Sequence, residues 1–172
     1  MKTPKFIARS TIALGLLLGL TGCGVAKNTK AAEAEVDRFH QRWNANEFKA
    51  VFDEAHMQFR SAQPAETLAM KFQAVKKNYG DLKSSKKRSW GFNSDKGVTD
   101  IKLSYDSAYE HGSAVEGFVF RMTGEKPLLL SYDIASPETA AKRDEERKAA
   151  REAKQKAEEA ERKAEREARK KP

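Results

Sequence analysis

The chain reads as an α+β fold, with N-terminal helices packed on a curved antiparallel four-stranded sheet and a long charged solvent-exposed helix behind it. Three observations predict this. Apolar residues recur at helical spacing from Ala34 to Tyr79. After Gly80 the period shortens to alternation, as half-buried strands require. From Glu138 onward the chain is built almost wholly of Ala, Glu, Lys, Arg and Gln, the strongest helix formers.

The first segment, residues 1–22, has the layout of an export signal. Lys2, Lys5 and Arg9 form a positive start, and Ser10–Leu20 is an apolar run too short to cross a hydrocarbon core of ~30 Å as a helix. The next residues, Leu20-Thr21-Gly22-Cys23, resemble the lipobox of bacterial lipoprotein precursors. The resemblance implies cleavage between Gly22 and Cys23, a diacylglyceryl group on the Cys23 thiol, and an acyl chain on the new amino terminus. Small Thr21 and Gly22 suit an extended chain entering a peptidase. Two or more acyl chains hold a protein stably on a membrane where one holds it marginally. The expected partner is therefore a membrane, and the expected location is the cell envelope. Gly24, rather than an aspartate, implies the outer membrane, facing the periplasm.

The net charge of +8 suggests nucleic acid only until it is divided. Residues 1–9 carry +3 and residues 138–171 another +3, which leaves +2 for everything between. No strongly basic globular surface follows, and no nucleic-acid partner is expected.

Residues 23–30 read as a short polar tether. Beyond it Ala34, Val36, Phe39 and Trp43 mark one helical face, which Asn44 and Asn46 interrupt. Phe48, Val51, Phe52, Ala55, Met57 and Phe59 mark a second helix ending near Ser61. Pro64 opens a third, through Leu68, Met70, Phe72, Val75 and Tyr79, and Gly80 stops it. Four strands follow. "KKRSWGF" (86–92) is the first; Val98, Ile101, Leu103 and Tyr105 mark the second. Val115, Phe118, Phe120 and Met122 are assigned to the core side of the third, and Leu128, Leu130, Tyr132 and Ile134 to that of the fourth. The links "EHGS" (110–113) and "TGEK" (123–126) are short and contain Gly, as hairpins require. Residues 31–136 thus form one α+β domain.

This order resembles the cystatin-like and nuclear-transport-factor-2-like superfamily, and within it a group of small exported bacterial domains. The resemblance is carried by Gly97–Ser136, "GVTDIKLSYDSAYEHGSAVEGFVFRMTGEKPLLLSYDIAS", with Glu116 early in the penultimate strand. It implies helices covering one sheet face over a conical space, where some relatives place a catalytic carboxylate or a His–Asp pair.

The residues themselves supply no catalytic motif. Asp37-x-x-His40 and Glu54-x-His56 each lack a third ligand, and His111 stands alone, so no metal or cofactor is expected. There is no G-x-S-x-G elbow and no phosphate-cradling loop. Glu116 and Asp133 are both expected to point away from the core, which argues against a general base and against an enzyme. Lys76, Lys77, Lys83, Lys86, Lys87 and Arg88 form the one local basic cluster, beside Trp90. It is a candidate contact for an anionic lipid surface; the blander reading is a solvated helix end and a lysine-guarded edge strand.

Residues 137–172 carry opposite charges at i,i+4, among them Glu138–Lys142, Asp144–Lys148, Glu152–Lys156 and Glu159–Lys163. Each such pair contributes only about 0.2–0.5 kcal/mol, but together they sustain a helix without tertiary packing. Ala150, Ala153, Ala157, Ala160 and Ala164 alternate three and four apart, yet alanine makes a weak coiled-coil seam. The expectation is a solitary helix reaching an envelope protein or peptidoglycan. The whole chain then reads as a membrane-anchored, non-catalytic binding or scaffold module with a helical contact arm. The alternative is a small-ligand-binding or enzymatic pocket between helices and sheet.

Overall fold

The structure, a computed structural model, describes residues 21–169. The expected signal segment, with Lys2, Lys5, Arg9 and Ser10–Leu20, lies outside the described residues. Helix α1 spans Thr21–Ala45, α2 Phe48–Glu54, α3 Met57–Ser61 and α4 Ala65–Tyr79. Strands β1 (Leu82–Asp95), β2 (Val98–Tyr109), β3 (Gly112–Thr123) and β4 (Lys126–Ala135) form one antiparallel meander, and α5 (Pro137–Ala168) follows. The α+β class predicted from the sequence is what the chain adopts. Among the described residues no helix is long and apolar enough to cross a membrane.

Two details of the helical half correct the expectation. Residues 23–30 are not a loose tether but the opening turns of α1, and Thr29 and Ala32 are already buried. The Thr29 hydroxyl satisfies itself inside the helix by donating to Val25 O at 2.8 Å, as mid-helix threonines do. The run from Phe48 to Ser61 is two helices rather than one. Ala55 turns extended, and His56 caps α3 by accepting from Gln58 N at 3.2 Å. The His56 N–H meanwhile donates to Leu129 O at 2.9 Å, so the break stitches the helices to β4. Asn46, with φ of 61°, ends α1 as expected of an asparagine in the left-handed region.

The strands pair in the predicted order, but three register shifts set which side chains face the helices. β1 is longer than the expected 86–92 and turns into β2 through Lys96 and Gly97, both at positive φ, the two-residue turn that hairpin twist favours. In β1 the extra residues are Lys83 and Arg88; in β4 it is Leu130. The β4 bulge inverts the faces on its N-terminal side. Leu129, not Leu128 or Leu130, pairs with Phe120 on the core face and is buried, whereas Tyr132 and Ile134 fall where the alternation placed them. On β3 the core residues are Ala114, Glu116, Phe118 and Phe120, so Val115 faces outward, against expectation.

The core is an aromatic cluster between α1, α4 and the sheet. Phe39 sits 4.5 Å from Tyr132 and 5.2 Å from Phe118, ring centre to ring centre, and contacts Trp43 and Phe72 on its other sides. Trp43 is buried and donates its indole N–H to Gly80 O at 3.2 Å. α5 starts on a Ser136 cap, whose hydroxyl accepts from Thr139 N at 3.2 Å. Among its described side chains Ala140 is the last that is buried. With 32 residues, it is about 48 Å long at the standard helical rise.

Candidate functional site

The most concentrated chemistry lies at Glu116, a carboxylate with no exposed surface, in the middle of β3. α1 carries His40 over the sheet and brings its Nε2 to 2.9 Å from Glu116 Oε2, from 76 residues away in the chain. Ser107, the cross-sheet neighbour on β2, donates its hydroxyl to the same oxygen. Tyr132 on β4 donates to Oε1 at 2.9 Å. The Tyr109 hydroxyl is buried nearby but aligned with no hydrogen-bond partner. Phe118 and Tyr105 close against the His40 ring, both edge-on.

Burial opposes the charge on Glu116, but the hydrogen bonds and the imidazole of His40 outweigh it, so the carboxyl titrates below its ordinary range. An ionised Glu116 is an acceptor only, so the proton in the His40–Glu116 bond is on Nε2. Desolvation pushes the Tyr105 phenol up to about 12 and raises those of Tyr109 and Tyr132 well above the ordinary phenol range, aided by the Glu116 charge. The tyrosines therefore stay protonated, and Tyr132 is a permanent donor.

This placement overturns the expectation that Glu116 faces away from the core. A signal for it was present: counting back in twos from Phe118 and Phe120 lands on Glu116, not on Val115. Asp133 does face the other way, where it pairs with Arg143 of α5 at 3.2 Å. The arrangement could in principle serve a general base, since a histidine and a carboxylate share a proton. Glu116 has no exposed surface and His40 is buried. A cavity of about 30 Å³ on the helix side of the sheet is lined by Phe39, Val51, Phe120 and Leu129 and is bordered by neither His40 nor Glu116. His56 caps α3 and His111 lies in the β2–β3 hairpin, and among the described residues no three metal-ligating side chains converge.

The basic cluster disperses in three dimensions. Lys76 closes the end of α1, donating to Trp43 O at 2.6 Å and Asn44 O at 2.9 Å, and pairs with Asp81 at 2.8 Å. Lys83 pairs with Glu110 at 2.7 Å and Lys87 with Glu33 at 2.5 Å. Arg88, bulged outward, bridges Asp106 at 3.3 Å and Asp144 of α5 at 3.1 Å. Strand alternation sends Lys86 and Lys87 to opposite faces. Of the six, Lys77 and Lys86 alone form no ion pair among the described residues. Gly22 and Cys23 lie in the first turn of α1.

The outer sheet face holds a feature that the sequence did not signal. α5 crosses it and leaves a groove of about 650 Å³ between helix and sheet. Comparison with known proteins finds no matching family model and no matching curated protein.

Proposed function

We propose that the chain is an envelope lipoprotein held by Cys23, and that its α+β domain is a non-catalytic binding or scaffold module with α5 as its contact arm. The observation that carries this reading is α5 itself. It is a helix of 32 residues in which, among the described side chains, the last buried one is Ala140, near its start. A charged helix that buries so little of itself contributes little to folding and much to reach. The Glu116 centre supports the same reading, because its carboxylate spends its hydrogen-bonding capacity on His40, Ser107 and Tyr132. Residues 23–30, as helix rather than tether, would set the domain at a short, stiff distance from the acyl chains. The helix-then-sheet order also supports the likeness to cystatin-like and nuclear-transport-factor-2-like domains. The second reading, a pocket enzyme, is favoured by the His40–Glu116 pair alone.

The test is membrane fractionation with intact mass, comparing the natural chain with Cys23→Ala, followed by crosslinking through α5. Cleavage before Cys23, added acyl mass, and release or non-processing of Cys23→Ala are expected. So is an envelope crosslink that disappears when the chain ends at Arg151. An unacylated chain free in the periplasm would overturn the anchor, and crosslinking indifferent to the arm would overturn the module.

A further inference from the structure

The groove between α5 and the outer sheet face is neither apolar nor neutral. Arg143 and Arg88 hold the helix in place through Asp133 and Asp144. Farther along, Arg147 and Arg151 of α5 and Lys102 of β2 also line it, and none of the three pairs with a carboxylate among the described residues. Ser104 and Ser131 line it from the sheet and offer two hydroxyls, beside Trp90, Val115 and Val119, while the Asp133 carboxylate lies over Gly117. Arg143, Arg147 and Arg151 also repel one another at i,i+4, which disfavours the isolated helix.

We infer that this groove binds an acidic peptide segment in extended conformation, with carboxylates at alternate residues. Successive arginines four apart on a helix stand about 6 Å from each other. Alternate side chains of an extended strand stand about 6.6 Å apart on one side. A strand lying along α5 therefore brings one carboxylate to each guanidinium, in the paired geometry that arginine favours. Ser104 and Ser131 meet its peptide groups. This deepens the binding-module reading and rests on it, but its test needs neither acylation nor a membrane. A failure here leaves the fractionation result standing.

The test measures fluorescence anisotropy of the full chain with three labelled probes. One is a peptide with Glu at alternate positions between small polar residues, one a peptide of the same composition with its Glu clustered, and one inorganic polyphosphate. The alternating peptide is expected to bind best and to weaken as salt rises. Arg147→Glu with Arg151→Glu is expected to lower its affinity about tenfold or more, and the milder Arg147→Gln with Arg151→Gln to act in the same direction while preserving helix. The same charge reversal outside the groove, Arg162→Glu with Arg166→Glu, is expected to change affinity less than about twofold. Equal losses from the two reversals would reduce the effect to net charge and overturn the groove. No binding, no preference between the peptides, or tighter binding of polyphosphate would overturn the acidic peptide as occupant.

Discussion

His40 and Glu116 meet at 2.9 Å inside the aromatic core, joining the first helix to the third strand through a buried, hydrogen-bonded ion-competent pair. Removing one member of such a pair leaves the other uncompensated, whereas removing both with apolar replacements does not. His40→Leu and Glu116→Leu are each expected to destabilise the fold by about 3–5 kcal/mol, and the double substitution by clearly less than their sum. Denaturant unfolding of the four proteins checks this. Additive losses would mean that the two side chains do not act as a pair.

The same centre sets an acid limit. Glu116 titrates below its ordinary 4.5 in the folded chain and near that value unfolded. Its stabilising contribution is thus present above that pH and is lost as pH falls through the depressed folded value. Glu54 and Glu110 are shifted the same way but are exposed and screened by water, and Asp100 is half-buried against Arg121, so Glu116 is the fully buried group among them. Thermal unfolding followed from neutral pH downward is expected to show Tm falling below about pH 4.5, and Glu116→Gln to flatten that fall. A parallel slope in the variant would move the origin of the acid limit to the surface carboxylates.

The β4 bulge makes a prediction about two adjacent leucines. Leu129 is buried against Phe120, while Leu130 is the extra, half-buried residue. Leu129→Ala is expected to cost about 2–5 kcal/mol, as truncation of a buried leucine does. Leu130→Ala, which opens no interior space, is expected to cost under about 1 kcal/mol. The opposite order in equilibrium unfolding would restore the uninterrupted alternation that the sequence suggests.

That pair also shows where the sequence stops being legible. Helix stops at Asn46 and Gly80, the hairpin turns and the composition of α5 depend on local chemistry, and each was readable from a few residues. The register of β4 depends on one inserted residue, and nothing in Pro127–Ile134 marks Leu130 rather than its neighbours as the bulge. β1 was read short because it is an edge strand with little burial, so no alternation records where it begins and ends. The Glu116 centre was hidden differently. Its partners His40, Ser107 and Tyr132 come from three other elements, and only the fold makes neighbours of them. The same holds for the basic cluster, a contiguous run in sequence whose members the strand alternation and the acids of other elements divide.

Gly80 tests the junction between the helical and sheet halves. Its φ is +79°, and a Cβ there would meet Glu110 Cβ at 2.7 Å and His111 Nδ1 at 2.9 Å. Its N–H also donates to Lys76 O at 2.7 Å, closing α4, and its carbonyl accepts from Trp43. Gly80→Ala therefore combines left-handed strain with a backbone-level clash. It is expected to destabilise by more than the ~1 kcal/mol that strain alone costs. Gly24→Ala, with nothing within 4 Å of the added methyl and a helical backbone, serves as the control and should stabilise slightly if it does anything. Equal effects of the two substitutions in equilibrium unfolding would show that the α4–β1 junction tolerates rearrangement.

The last expectation concerns the division of labour within α5. Up to Asp144 the helix is tied down by the Ser136 cap, the burial of Ala140 and the ion pairs Arg143–Asp133 and Arg88–Asp144. Past Arg151 every residue with a described side chain is exposed, and the one ion pair there, Lys154–Glu158 at 3.8 Å, lies within the helix. Ending the chain at Arg151 is expected to leave the unfolding free energy within about 0.5 kcal/mol of the full chain, as surface changes do. Ending it at Ser136 uncovers Ala135, leaves Asp133 without Arg143 and leaves Arg88 without Asp144. That truncation is expected to cost on the order of 1–2 kcal/mol, the sum of a lost cap, a small buried contact and weak ion pairs. A large loss on ending at Arg151 would make the distal helix part of the folded unit, and the contact arm would have to be sought elsewhere in the molecule.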